Sequence, residues 1–337
     1  MSKVKSERNR QIDGLKGFAM LLVIIYHFFY RYPEIYSQEN VSRFPFISKF
    51  GVIGVTIFFV VSGYFMSGSS TGGYRLIKKK VIRLWPVYAI SITLCFLLTR
   101  CIYLPDRTVG FRDYLLNLVW VNGVINTPYV DGAHWYITDL FGCIIVYAFL
   151  NQHSKKHCRT ILVCLSIVIS ITCKAFANNL TGGGVIKYSV SIIDTLTGSG
   201  RISMVYAGEV VAILSKKHYK EAVFLELLSI FLCIYRFSFL YTITLVAAQV
   251  LMFLVVNQKI KPFSLRPISI IGEASYSIYV FHQNIGFVII YSFSTILRGF
   301  SLIYSCIAFI AMTIWGLIAF KYLEVSIGNK IAALEGR

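Results

Sequence analysis

The chain has 337 residues, 56% of them hydrophobic and only 14% charged, with a mean hydropathy of +0.68. A soluble domain carries nearly twice that share of charge, so the composition excludes one and points to a polytopic membrane protein. The net charge of +18 raises nucleic acid as a partner, but the basic residues are spread along the chain as topology signals, and no nucleic-acid partner is expected.

Ten apolar stretches, each long enough or nearly long enough to cross a bilayer, fall at roughly 15–32, 50–67, 84–101, 134–151, 160–177, 201–214, 221–235, 236–257, 268–292 and 300–320. They predict an all-α, polytopic transmembrane helical bundle of about ten spans with both termini cytoplasmic. Residues 1–337 read as one integral-membrane domain, with extramembrane segments too short for a soluble catalytic domain. The start lacks a short apolar region followed by an A-x-A site, so the first apolar stretch is expected to be the first transmembrane helix and not a cleaved signal. On this topology the cytoplasmic segments and Lys16 hold 22 of the 33 Lys and Arg, as the positive-inside rule requires. Part of the basic surplus is expected to face anionic lipid headgroups.

The first stretch, "IDGLKGFAMLLVIIYHFF", is apolar from Phe18 onward except for His27. An ionisable residue inside a membrane is costly, and therefore a functional candidate. Lys16 and His27 are eleven residues apart, which on an α-helix is three turns plus about 20° and about 16 Å of rise. The two share a stripe, Lys16 at the cytoplasmic surface and His27 in the outer half of the membrane. Asp13 can pair with Lys16 as an i,i+3 neighbour. Snorkelling by Lys16 and a helix-to-helix hydrogen bond by His27 are the bland alternative.

In the second stretch, "GVIGVTIFFVVSGYFM", Gly51, Gly54 and Gly63 permit close backbone approach and Ser62 can bond across helices. Next comes "YRLIKKKVIRLWPVY", with five basic residues between Arg75 and Arg83. Such clusters serve topology and lipid contact. Lys80 and Arg83, three apart on one face, are also placed to clamp phosphates. "DGAHWYITDL" opens the fourth stretch with His134, Trp135 and Tyr136, expected at the outer mouth, and with Asp139. The ninth, "IGEASYSIYVFHQNIG", places Glu273 at its cytoplasmic end. It carries His282 about 20 Å further in if the span begins near Ser269. That is the depth of His27, so the two histidines are placed to share a cavity. Glu324 is expected to follow the last span. None of the eight cysteines has a C-x-x-C or metal-ligand spacing, and no metal is expected.

These pieces, in this order, resemble the acyltransferase-3 family of bacterial integral-membrane O-acyltransferases. "IDGLKGFAMLLVIIYH" looks like its opening basic residue, ten others, then histidine. "GVTIFFVVSGYFM" is similar to its FF-x-x-SG signature, "KKKVIRLWPVY" to its R-x-x-R followed by proline, and "YSIYVFH" to its late Tyr–x–His segment. Lys16 and Lys80 stand where many members have Arg, and "HWYITDL" departs from the family's Trp–Ser–Leu segment, so Asp139 inherits no role. The resemblance implies catalysis by His27, as general base on the acceptor hydroxyl or as carrier of the acyl group, with His282 orienting it or donating a proton. It implies that Lys16, Lys80 and Arg83 hold the phosphates of acetyl-CoA, the cytoplasmic acyl donor, with no permanently bound cofactor. The acceptor would be a sugar hydroxyl on a lipid-linked or surface glycan, contacted by His134, Trp135 and Tyr136. Asp13, Ser62 and Glu273 would be structural or orienting. The location implied is the bacterial plasma (inner) membrane. A glycan transporter or exporter without group transfer is the competing reading, but the inverted repeats or paired broken helices it calls for are not visible in the sequence.

Overall fold

The computed structural model describes residues 9–36, 45–67, 69, 71–153, 156–179 and 184–335. The basic N-terminal segment before Asn9, expected to be cytoplasmic, and Lys155 of the fifth span's approach lie outside them. All regular structure among the described residues is helical. Seven helices are long and apolar enough to cross a membrane: Arg10–Tyr36, Pro45–Ser67, Gly73–Cys101, Gly132–Gln152, His157–Asn179, Phe239–Val256 and Leu302–Lys330. The three other expected spans are also helical, at Ile202–Ser215, Tyr219–Arg236 and Ser275–Ile296. Two further helices, Phe111–Leu118 and Val185–Leu196, were not anticipated as elements. The chain is a multi-pass membrane protein.

The first helix, Arg10–Tyr26, is the hub. Asn9 caps it by accepting from the Gln11 backbone N–H, which satisfies one of the free donors of the first turn. It packs against Phe50–Ser67, Phe239–Val256, Arg266–Glu273 and Ser275–Ile296. The closest approach is to Arg266–Glu273: a Cβ on Gly17 would strike the Ile268 backbone, and one on Gly272 would strike that of Asp13. Glycine on both sides lets the two backbones touch, as membrane helices lacking a hydrophobic drive to associate require. Gly63 does the same against the Val205 backbone, and Gly54 lies against Ala19, while Gly51 meets the ring of Tyr26.

Three local features depart from the regular helices that hydropathy predicts. The first helix widens into a π-turn at His27–Arg31 before continuing through Tyr32–Tyr36. An inserted π-turn shifts the register of everything after it, and such insertions gather at functional sites. The expected span 268–292 is broken: Arg266–Glu273 ends at Ala274 and a separate helix starts at Ser275. His282 therefore lies only seven residues, or about 10 Å of rise, into its own helix, rather than twice that from Ser269. Last, the helix from Leu302 does not stop near residue 320. It passes through a second π-turn, Phe320–Glu324, and runs on to Glu335, so Glu324 is inside the helix and not beyond it.

Candidate active site

His27 and His282, 255 residues apart in sequence, meet. Nδ1 of His27 lies 3.2 Å from Nε2 of His282, and the rings stand edge to face at 4.8 Å. Each Nδ1 also faces a backbone carbonyl of its own helix, His27 that of Val23 at 2.8 Å and His282 that of Tyr279 at 2.6 Å. A carbonyl only accepts, so the network assigns a proton to both Nδ1 atoms. Nε2 of His282 then carries a lone pair and accepts from His27 Nδ1–H, which it shares with Val23. What remains is Nε2 of His27, a lone-pair nitrogen with no hydrogen bond among the described residues. His27 is half-buried and lines a cavity of about 470 Å³, whereas His282 is fully buried. One imidazole faces the space and the other orients it.

The orienting histidine is itself held. Asp131 caps the short turn Gly132–His134 by accepting from Ala133 N–H at 2.8 Å. Its second oxygen accepts the backbone N–H of Asn284 at 2.9 Å, and the Asn284 amide donates to Val130 O at 2.8 Å. The Tyr279 hydroxyl donates to Ala133 O at 2.5 Å. The 130–134 segment is thereby stitched to the His282 helix on both sides of the histidine. Asp131 and Asn284 carry no family motif and were not singled out in the sequence. The signal available was a carboxylate directly before a Gly–Ala–His turn.

The basic residues of the first and third spans also converge. Lys16, Lys80 and Arg83 line one cavity of about 600 Å³ with Asp13 and Ser62. Lys16 pairs with Asp13 at 2.7 Å. Arg83 faces Glu324 at 3.8 Å, and Glu324 accepts from the Ser277 hydroxyl at 2.7 Å. Of the cluster Arg75–Arg83, only Lys80 and Arg83 reach this space. A smaller cavity of about 170 Å³ adjoins it, sharing Lys16, Ser62 and Arg83 and adding Glu273, Glu324 and Tyr279. Tyr279 also lines the His27 cavity. The three spaces thus follow one another from Lys16 to His27, separated by a cluster of rings. Tyr136 and Tyr279 lie 5.1 Å apart, and Phe58 is 6.1 Å and 6.3 Å from them.

The outer-mouth trio separates. Trp135 lines the His27 cavity. His134 does not: it is fully buried, its Nε2 donates to Val280 O at 2.9 Å, and its ring packs on Tyr88. Tyr136 is buried in the aromatic cluster and lines the small inner cavity instead. Successive residues of a helix point about 100° apart, so three neighbours cannot all face one mouth. Asp139, left without a role, lies 3.8 Å from Arg201, whose guanidinium also covers the rings of Trp135 and Phe237.

The family model described as an acyltransferase domain matches residues 9–321. The chain belongs to the acyltransferase-3 family. No curated protein and no solved structure matches it. As a member, it is a membrane acyltransferase, and such chemistry needs a base for the acceptor, a seat for an activated acyl donor and a shielded meeting point. The histidine pair, the basic cavity and the smaller cavity that shares lining residues with both are the places this chain offers for those three tasks.

Proposed function

We propose that this acyltransferase is an O-acetyltransferase of the bacterial inner membrane, with ten spans and both termini in the cytoplasm. The donor is cytoplasmic acetyl-CoA and the acceptor is a sugar hydroxyl of a lipid-linked or cell-surface glycan. The observation that carries this reading is the series of neighbouring cavities from Lys16, Lys80 and Arg83 to His27, each sharing a lining residue with the next. The cations receive the nucleotide phosphates, Arg83 by its planar fork and the lysines as point charges. The pantetheine arm extends along the first helix, whose rise between Lys16 and His27 is about 16 Å, and passes the Phe58–Tyr136–Tyr279 cluster.

At the far end, Nε2 of His27 takes the proton of the acceptor hydroxyl as its oxygen attacks the thioester carbonyl. The tetrahedral intermediate collapses, the C–S bond breaks, and the departing thiolate recovers the proton from His27 Nε2. Between those moments His27 is an imidazolium. His282 Nε2 accepts from its Nδ1–H, so the charge forms against a lone pair already in place. His282 is a positioning residue here, not a proton donor. Trp135 offers a ring face to the sugar.

Inside-out membrane vesicles supplied with acetyl-CoA labelled in the acetyl group test the reading. Label is expected in a glycan fraction and absent with His27→Ala. Label that never leaves CoA, with glycan still moved across the membrane, would favour the exporter reading.

A further inference from the structure

We infer that the acceptor is anionic: the cavity around His27 seats an oxyanion, a phosphate or a carboxylate, beside the hydroxyl to be acylated. The word acceptor rests on the reading above, while the demand for negative charge rests on the cavity alone. Its wall includes Arg31, Arg107 and Arg201 and, among the described residues, no Asp or Glu. The three arginines differ in what already occupies them. Arg31 pairs with Glu34 at 2.5 Å near the surface. Arg201 is pinned, its guanidinium 4.2 Å from the Phe237 centroid and 5.0 Å from that of Trp135, with Asp139 at one edge. Stacked faces leave in-plane N–H groups for a ligand.

Arg107 is the informative one. Among the described residues it has no carboxylate within ion-pair distance; the Tyr36 hydroxyl is a neutral hydrogen-bond partner, and the Phe287 ring centroid is 5.8 Å from its guanidinium carbon. Its Nη1 lies over Gly132, next to the Gln283 amide. A Cβ at 132 would sit 2.9 Å from that Nη1 and 2.8 Å from Gln283 Nε2. Glycine at this position keeps two donor groups side by side and open to the cavity. Arg107 is half-buried on its loop, with no described acid against its guanidinium. Its fork matches a phosphate or carboxylate by two parallel hydrogen bonds. Arg107 is carried on the loop after the third span, Arg201 on the turn before Ile202–Ser215, and Arg31 on the π-turn that also begins with His27. Three separate segments therefore bring positive charge to the wall that holds the base.

The test uses the purified full chain in nanodiscs with no acyl donor, and three soluble probes: glucose 1-phosphate, methyl β-glucuronide and methyl β-glucoside. Titration calorimetry is expected to show at least one anionic probe binding about tenfold or more tighter than the neutral glycoside, with the gap shrinking as salt is raised. The tighter of the two names the source of the charge, phosphate or carboxylate. Arg107→Gln should remove the preference, Arg107→Lys should keep most of it, and Arg112→Gln, on an exposed face outside the cavity, should leave it unchanged. Equal affinity for all three probes, no binding of any at about 10 mM (a free energy of under ~3 kcal/mol), or an Arg107→Gln loss equal for charged and neutral probes overturns the inference. If Arg107→Gln does not accumulate, the wild-type ranking and its salt dependence decide alone. No turnover is required, so a protein that transfers no acetyl group can still show the anion preference, and the reverse.

Discussion

The cavities at the two ends of the first helix are both rich in cations and otherwise unlike. At the Lys16 end, three cations are accompanied by Asp13, Glu273 and Glu324 in the walls of the adjoining spaces, and two of them sit within ion-pair distance of an acid, Lys16–Asp13 at 2.7 Å and Arg83–Glu324 at 3.8 Å. At the His27 end, Arg31 and Arg201 also sit within ion-pair distance of an acid, Glu34 at 2.5 Å and Asp139 at 3.8 Å, but neither acid lines the cavity, and Arg107 has no carboxylate within that distance among the described residues. Positive charge counted along a sequence therefore does not say what the charge is for. Where acids stand beside the cations, part of the field is already spent on ordering side chains. Where no described acid stands beside one, as at Arg107, the field is left for whatever enters. Arg83, with its side chain 68% exposed, can still turn toward a phosphate, but it must leave Glu324 to do so.

Sidedness is the sharpest way to break this comparison, since both roles depend on which end meets the cytoplasm. Lys79→Cys, in a background depleted of the native cysteines, is expected to react with an impermeant maleimide only in inverted vesicles or after permeabilisation. Labelling in intact cells would exchange the two ends and remove the donor from the Lys16 cavity.

The next largest effect is expected at the base. His27→Ala should lower acetyl transfer by about 10²–10⁴-fold at unchanged abundance in the membrane. Near-normal transfer in washed membranes would remove His27 from the mechanism. His282→Ala should cost about ten- to a hundredfold, the worth of one hydrogen bond to a charged group. The loss should appear in kcat with the KM for acetyl-CoA unmoved. His282→Gln, whose side-chain oxygen can accept in place of Nε2, should recover part of it, whereas a mere packing role predicts no such recovery.

The smallest effects sharpen the Lys16 end. Arg83→Ala should raise the KM for acetyl-CoA by a few-fold to about tenfold, and Arg83→Glu by more, because it adds repulsion to a lost contact. Lys16→Arg should change it little, since charge is kept and donors are added. A KM that stays constant in Arg83→Ala membranes, with activity falling only as abundance falls, would reduce the cluster to a topology signal.

Several of these groups were legible before any fold was known. The Lys16–His27 stripe and the Asp13–Lys16 pair are consequences of helical periodicity, which acts over a few turns and is written in one stretch of chain. The pairing of His282 with His27 could be anticipated only as equal depth. Other placements were out of reach. His134 and Trp135 look equivalent as neighbours, yet one is sealed against Tyr88 and Val280 while the other borders the cavity. Arg107 and Arg201 sit in segments with no apolar period to mark which way they face, and Asp139 acquires meaning only through Arg201.

By itself the sequence determined an all-helical, multi-pass membrane protein of the acyltransferase-3 family, along with the location of its ten apolar stretches on helices, but not the bounds of those helices. Hydropathy and the 3.6-residue repeat are local quantities, and the demand that every backbone group be bonded within lipid leaves the helix as the structure an apolar stretch of this length can take. Only the tertiary structure decided the break at Ala274, the two π-turns, the contact between histidines 255 residues apart and the three arginines that line the cavity beside them. Each depends on which side chains and carbonyls a neighbouring helix offers, and that is set by glycine-lined close packing between segments that are distant in the chain.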